Sequence, residues 1–214
     1  MVRTPLPKDR DRTRGNNILV KILRHLLPLG LPALCLAAAS CADDGPSSAP
    51  APEPVSAVAA TFGDAIDLEN LAAYADQPLP RYIRKNNSGG REVTDAGATL
   101  GRVLFYDKRL SVDNTVSCAS CHKQALAFGD DAQAAVGVAG VTERHSMRLV
   151  NVQFAQEVRL FWNERAASLE EQVLQPIEDH KEMGFSGQDG DPGLADLLAK
   201  LEATDYYREL FTFV

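Results

Sequence analysis

Cys118-Ala119-Ser120-Cys121-His122 is the stretch on which the reading of this chain turns. In an exported protein, C-x-x-C-H is the spacing at which a c-type heme is attached. The two thiols sit one helical turn apart, where they can add to the two vinyl groups of one heme and hold it through thioether bonds. His122 follows at once, so its imidazole falls over the iron as the fixed axial ligand. A redox dithiol, half of a zinc site and a chance spacing are the other readings. Zinc needs a second Cys pair at metal spacing, and the sequence has none; a dithiol motif has no use for a histidine directly after it. The four cysteines split into Cys35 and Cys41 near the start and Cys118 and Cys121 in the motif, which leaves none for a structural disulfide.

Working outward, residues 1–41 read as a secretory signal. Arg3, Lys8, Arg10, Arg12, Arg14, Lys21 and Arg24 form a basic region, and an apolar run from Ile18 to Ala39 overlaps it. The uncharged part after His25 is too short to span a bilayer. Ala37-Ala38-Ala39-Ser40 ahead of Cys41 resembles a bacterial lipoprotein cleavage site, with Ala38 where such sites prefer leucine. Cys41 is therefore expected to carry a lipid anchor; cleavage after small residues without lipid is the alternative. Residues 42–61 are rich in Pro, Ala and Ser and read as a disordered tether. The expected location is the periplasm or cell envelope.

The whole chain has 214 residues and a formal charge of −7; its first 41 residues carry seven Lys/Arg against two Asp, which leaves about −12 for the remainder. A body this acidic argues against nucleic acid and against an anionic membrane surface as partners. It suits a small redox or substrate partner, or a basic protein.

Residues 62–214 read as one all-α, cytochrome c-like heme domain. Ile66, Leu68, Leu71 and Tyr74 suggest a short helix before Pro78 and Pro80. Asn86-Asn87-Ser88-Gly89-Gly90 is a loop. Thr94 or Asp95 caps a helix reaching Tyr106, with Ala96, Leu100, Val103 and Leu104 on one face. Gly129 to Gly140 is small and flexible, and Arg144 to Phe161 is expected to pack over the heme. Ser168 caps a helix that Pro176 ends, and Leu194–Leu201 and Asp205–Phe213 are two final helices. No strand pattern is visible.

Attachment alone describes an electron carrier; a carrier fills the sixth iron position with Met or His, whereas a peroxidase keeps it open beside acid–base groups. His145, Met147, His180 and Met183 are candidates to fill it. Glu182, beside Met183, is the candidate proton-transfer group.

From Leu100 to Gly184 the sequence resembles the peroxidatic N-terminal half of bacterial di-heme cytochrome c peroxidases and their methylamine-utilisation relatives. The matching pieces are Leu100-Gly101-Arg102-Val103-Leu104-Phe105-Tyr106-Asp107, Leu110-Ser111 and the C-x-x-C-H motif. They continue as Phe161-Trp162-Asn163-Glu164-Arg165-Ala166, Leu169-Glu170-Glu171-Gln172, Pro176-Ile177 and Glu182-Met183-Gly184. The resemblance implies Glu182 as distal acid/base, Gln172 as a hydrogen-bond donor beside it, Pro176 as a wall of the distal pocket and Trp162 on the electron path between two hemes. It implies reduction of hydrogen peroxide at one heme c in this chain, with electrons from a small c-type cytochrome or cupredoxin; a homodimer is a further expectation. A mono-heme electron carrier, its sixth position filled by Met147, Met183 or His145, is the alternative, and oxidation of a partner protein is a third reading. Two departures stand out. Arg144-His145-Ser146-Met147 replaces the family's Arg-Asn-x-Pro, which leaves calcium between the hemes in doubt, with His145 read as a hydrogen-bonded core histidine. Lys123 to Glu143 holds no histidine, which favours a heme open without reductive activation. The family's second C-x-x-C-H does not occur in this sequence, as a fragment, a frameshifted gene or a stand-alone mono-heme domain would each explain.

Overall fold

The computed structural model describes residues 55–156 and 159–214. The chain divides into two units, Met1–Ser56 and Ala57–Val214. The expected signal, Cys41 and most of the tether lie outside the described residues. Within the second unit the helices are α1 (Ala57–Phe62), α2 (Asp95–Tyr106), α3 (Cys118–Cys121), α4 (Leu169–Glu178), α5 (Leu194–Glu202) and α6 (Asp205–Phe213). The structure is thus helix-rich, but the all-helical expectation is corrected by a small antiparallel hairpin. Its strands β1 (Val136–Gly137) and β2 (Gly140–Val141) pair Val136 with Val141 and Gly137 with Gly140. Two residues per strand are too few to leave an alternating pattern in sequence.

Helix α2 starts where its caps say it should. Thr94 Oγ1 accepts the Gly97 N–H at 3.0 Å, and Asp95 in the first turn complements the helix dipole. Thr99, Leu100 and Val103 fall on one buried face. That face meets Leu197 and Leu201 of α5, Tyr206, Tyr207 and Leu210 of α6, and Val58 of α1 in one apolar cluster with Ile66, Leu110, Ile177, Met183 and Phe185. Burying each such aliphatic side chain contributes about 1.5–3 kcal/mol. A polar joint locks α6 to the end of α2: Asp107 Oδ2 accepts hydroxyl protons from Tyr206 and, at 2.8 Å, Tyr207. Arg109 donates to Tyr206 Oη at 2.8 Å.

Two sequence-based boundaries move. The first helix is not at 66–74 but at Ala57–Phe62, inside the stretch read as tether. Composition could not show why: Val58 is 1% exposed in the core, and its N–H is accepted by Glu209 Oε2 of α6 at 3.0 Å. In 66–74 the Asp67 carboxylate takes the N–H groups of Glu69 and Asn70, a local turn that competes with helix. Lastly, Pro176 lies inside α4, which runs on to Glu178. In the last turn a proline forgoes one backbone hydrogen bond without stopping the helix.

Arg144 to Phe161, expected to pack over the heme, is mostly irregular among the described residues, with a short 3-10 helix at Val152–Phe154. It is anchored by Asn87, whose side-chain amide donates to the carbonyls of Val152 and Ala155 at 3.1 and 3.0 Å. Among the described residues no helix is long and apolar enough to cross a membrane.

Candidate functional site

The C-x-x-C-H motif forms α3, a single turn with its own cap. Ser117 and Ser120 make a reciprocal capping box: the Ser117 N–H donates to Ser120 Oγ at 3.0 Å. Cys118 and Cys121 are free thiols. Burial raises the pKa of Cys118. Burial, then the charges of Asp130 and Glu182, push Cys121 up to about 11.

His122 ends the turn, its N–H bonded to the Cys118 carbonyl at 2.8 Å. The chain then doubles back through Ala127 and Phe128, both at positive φ. This brings the Phe128 carbonyl 2.9 Å from His122 Nδ1. A carbonyl only accepts, so Nδ1 carries the proton and the Nε2 lone pair is left for a metal. The loop closes as the Lys123 N–H donates to the Gly129 carbonyl at 2.8 Å and the Phe128 N–H to the Lys123 carbonyl at 2.9 Å, and as Lys123 bridges Asp130, at 2.8 Å, and Asp131. Two thiols one turn apart and one imidazole with a fixed tautomer are a donor set that fits heme c.

Glu182 is held on a turn that follows α4. Asp179 Oδ1 accepts the N–H groups of Lys181 (2.9 Å) and Glu182 (3.1 Å). The Asp179 carbonyl accepts those of Met183 and Gly184 at 3.2 and 2.8 Å. The β hairpin then grips this turn: Val138 and Ala139 donate to the carbonyls of Glu182 and Lys181 at 3.1 and 3.2 Å. The approach needs glycine, since a Cβ on Gly137 would lie 1.9 Å from the Lys181 carbonyl oxygen. Gly184, at φ +84°, would likewise drive a Cβ to 2.6 Å from Val112 Cγ1. The other side of the hairpin reaches the motif, with Cys121 Sγ 3.9 Å from the Val136 carbonyl. Glu182 is thereby brought electrostatically within reach of Cys121. Burial, then the charge of Asp179, raises its carboxyl pKa, against the opposing pull of Arg165.

Gln172 and Pro176 are four apart on α4 and so share a helix face; both are half-buried. Arg165 links the next loop to this helix by donating to Gln175 Oε1 at 2.7 Å. Residues 160–166 form a tight reversal closed by Leu160 and Ala166, and Trp162 projects from it, 59% exposed. Its Nε1 donates to the His145 carbonyl at 2.8 Å. Trp162 and His145 line an open cleft of about 690 Å³ with Gln133, Ala134, Val141, Glu143 and Arg144. None of the motif residues lines that cleft.

The candidates for the sixth iron position scatter. Met183 is 4% exposed, packed in the aliphatic core. His180 is at the surface, Nδ1 against Asp191 Oδ2 at 2.7 Å. His145 Nδ1 bonds the Ala132 carbonyl at 2.8 Å, but the residue is half-buried on the open cleft rather than in the core. Met147 is half-buried. Sequence reasoning missed the supports: Phe128, whose backbone carbonyl has no side-chain signature, and Asp179, whose position directly after a helix was a readable signal for a side-chain-capped turn.

Comparison with known proteins fits this geometry. The chain is 34% identical over 116 residues to the methylamine utilization protein MauG of Methylophilus methylotrophus, covering 54% of this chain and 32% of that one. It is 33% identical over 138 residues to the cytochrome-c peroxidase IdrP1 of Pseudomonas sp. (strain SCT), covering 63% and 34%. The crystal structure of a MauG-like protein associated with microbial copper homeostasis superposes with a TM-score of 0.54 at 34% identity, covering 63% of this chain and 38% of that one. The chain thus spans about a third of the length of the curated relatives it matches. The family model for di-haem cytochrome c peroxidase, a heme c-binding family, matches residues 95–214. With more than half of its length matched, the chain belongs to the di-haem cytochrome c peroxidase family.

Proposed function

We propose that residues 57–214 form a helix-rich, cytochrome c-like peroxidatic domain that reduces hydrogen peroxide. One heme c would be held by thioethers to Cys118 and Cys121, and His122 Nε2 would ligate its iron. Once bound, the heme supplies a redox-active iron at which the O–O bond is broken, with electrons from a small c-type cytochrome or cupredoxin.

The chain's own residues handle the protons. Reducing one peroxide to two waters takes up two electrons and two protons. Glu182 takes a proton from the attacking side of the peroxide and returns it to the leaving oxygen. Its raised pKa suits that shuttle, because disfavouring the charged form makes the carboxylate a better proton acceptor than an ordinary surface acid. Gln172 donates its amide to the same substrate, Pro176 shapes the pocket wall, and Trp162 carries electrons toward the heme from a second redox centre. Periplasmic location, with a lipid on Cys41, belongs to this reading, since heme c is attached outside the cytoplasm.

The observation that supports the proposal is the hairpin's grip on the Glu182 turn, together with a half-buried carboxylate whose charge is felt at Cys121. The placements of Met183, His180 and His145 support an open sixth position. The test is Glu182→Gln in the heme-loaded full chain. Heme attachment and dithionite reduction should persist, while stopped-flow reaction of the ferric heme with peroxide slows about 10²–10⁴-fold, the usual worth of acid–base catalysis. Equal rates, or a low-spin ferric spectrum with a Met–iron band in the parent, would sink the proposal in favour of an electron carrier.

A further inference from the structure

The turn that carries Glu182 is fastened to the chain ahead of α5 by one side-chain pair. His180 Nδ1 lies 2.7 Å from Asp191 Oδ2, and Ser186 Oγ donates to that same oxygen at 2.6 Å. The loop presenting Asp191 is closed on itself. Gly187 donates to the Pro192 carbonyl at 3.0 Å and Asp191 to that of Gln188 at 2.8 Å. The other end is equally rigid, because Asp179, next to His180, holds the Glu182 N–H through its carboxylate. His180 is thus the joint between two closed loops, and one of them sets the position of Glu182.

We propose that His180 and Asp191 are positioning residues for Glu182, and that they hold its turn more firmly when His180 is protonated than when it is neutral. This rests on the reading of Glu182 as the proton-transfer group. Neutral His180 can still donate from Nδ1, but protonation makes the bond charge-assisted, roughly doubling its strength. The charged groups that face His180 are all acidic: Asp191 and Asp189 from the loop and Asp179 from its own turn. The hydrogen bond to Asp191, then that carboxylate's charge, raises the His180 pKa above 6.5. The hydrogen bonds from Ser186 and then His180 lower that of Asp191. A raised histidine pKa means that the fastening is complete below the unfolded-state value and is lost as pH rises through the folded-state value. The Glu182 turn therefore loosens on the alkaline side. Both partners are solvent-accessible, so salt weakens the effect.

The experiment uses the heme-loaded full chain and two readouts. The first is the pH profile of the peroxide reaction for the parent, His180→Gln, Asp191→Asn and Glu182→Gln. The parent should lose rate on the order of two- to fivefold above the His180 pKa, the scale of an exposed ion pair. His180→Gln keeps a donor without an ionisation in this range, so that alkaline limb should vanish. Asp191→Asn should show the lowered rate at every pH. The second readout is hydrogen exchange of the 179–186 segment by mass spectrometry, corrected for intrinsic rate. Exchange should quicken in Asp191→Asn, and quicken with rising pH in the parent and Glu182→Gln but not in His180→Gln or Asp191→Asn. If the His180→Gln profile superposes on the parent's and exchange is unchanged, the positioning role is overturned, while a slowed Glu182→Gln leaves the peroxidase reading intact. If Glu182→Gln is not slowed, the peroxidase reading itself fails, and the exchange data alone decide whether the fastening exists.

Discussion

The scaffold of α1, α2, α5 and α6 and the loop-built half from His122 to Ala166 are held together by different physics. In the scaffold, apolar side chains interlock in one cluster, with Tyr207 and Leu210 fully covered. In the other half the buried apolar residues among those described are Ala135 and Ala166, and neither belongs to the main cluster. There the chain is ordered by backbone bonds to carbonyls, by side-chain-capped turns and by close glycine contacts. Val136, Val141 and Trp162 stay largely exposed. The difference teaches that stability and site geometry are separated: the core fixes where Ile177 and Met183 go, while the Asp179 turn sets Glu182 and the loop reaching Phe128 sets His122.

Substitutions can break or sharpen this contrast. Leu210→Ala, in the scaffold, should cost about 2–5 kcal/mol in chemical unfolding, because a cavity opens where the helices meet. Val136→Ala, in the hairpin, should stay within about 0.5 kcal/mol; equal costs would erase the asymmetry. Next in size is Gly137→Ala. Its Cβ would collide with the Lys181 carbonyl, so the hairpin must withdraw, at about 1–3 kcal/mol. Peroxide reactivity should fall further than stability, with heme still attached. Unaltered reactivity would mean that the hairpin does not position Glu182.

A smaller effect is expected at the α2 cap. Thr94→Ala removes the acceptor for the Gly97 N–H and should cost about 1 kcal/mol, which Thr94→Asp should restore. The smallest is a pH effect on stability. The folded chain holds the Glu182 proton more tightly than the unfolded one, so this group's contribution is full below its ordinary pKa and is lost as pH rises through the raised value. Denaturant titrations of the parent across mildly acidic pH should show that decline, and Glu182→Gln should lack it. A decline of the same size in the variant would place its origin in another group.

Much of this was written locally. The motif announced its own cysteines and histidine because covalent attachment demands a fixed spacing on one turn. Helices α2, α5 and α6 could be read because their caps and apolar faces lie within a dozen residues of each other. The run from Leu100 to Gly184 carried the family resemblance in its residue order. Tertiary structure decided the rest. Helix α1 hides in a stretch of tether-like composition because its partner is Glu209, some 150 residues away. The core placement of Met183 and the surface placement of His180, three residues apart, follow from a turn whose shape is set by Asp179. The electrostatic reach of Glu182 to Cys121 involves a six-residue hairpin, 136–141, and the close approach of Gly137. Local signals specify elements whose bonds close within a few residues; the site needed contacts between distant segments, and only packing brings those together.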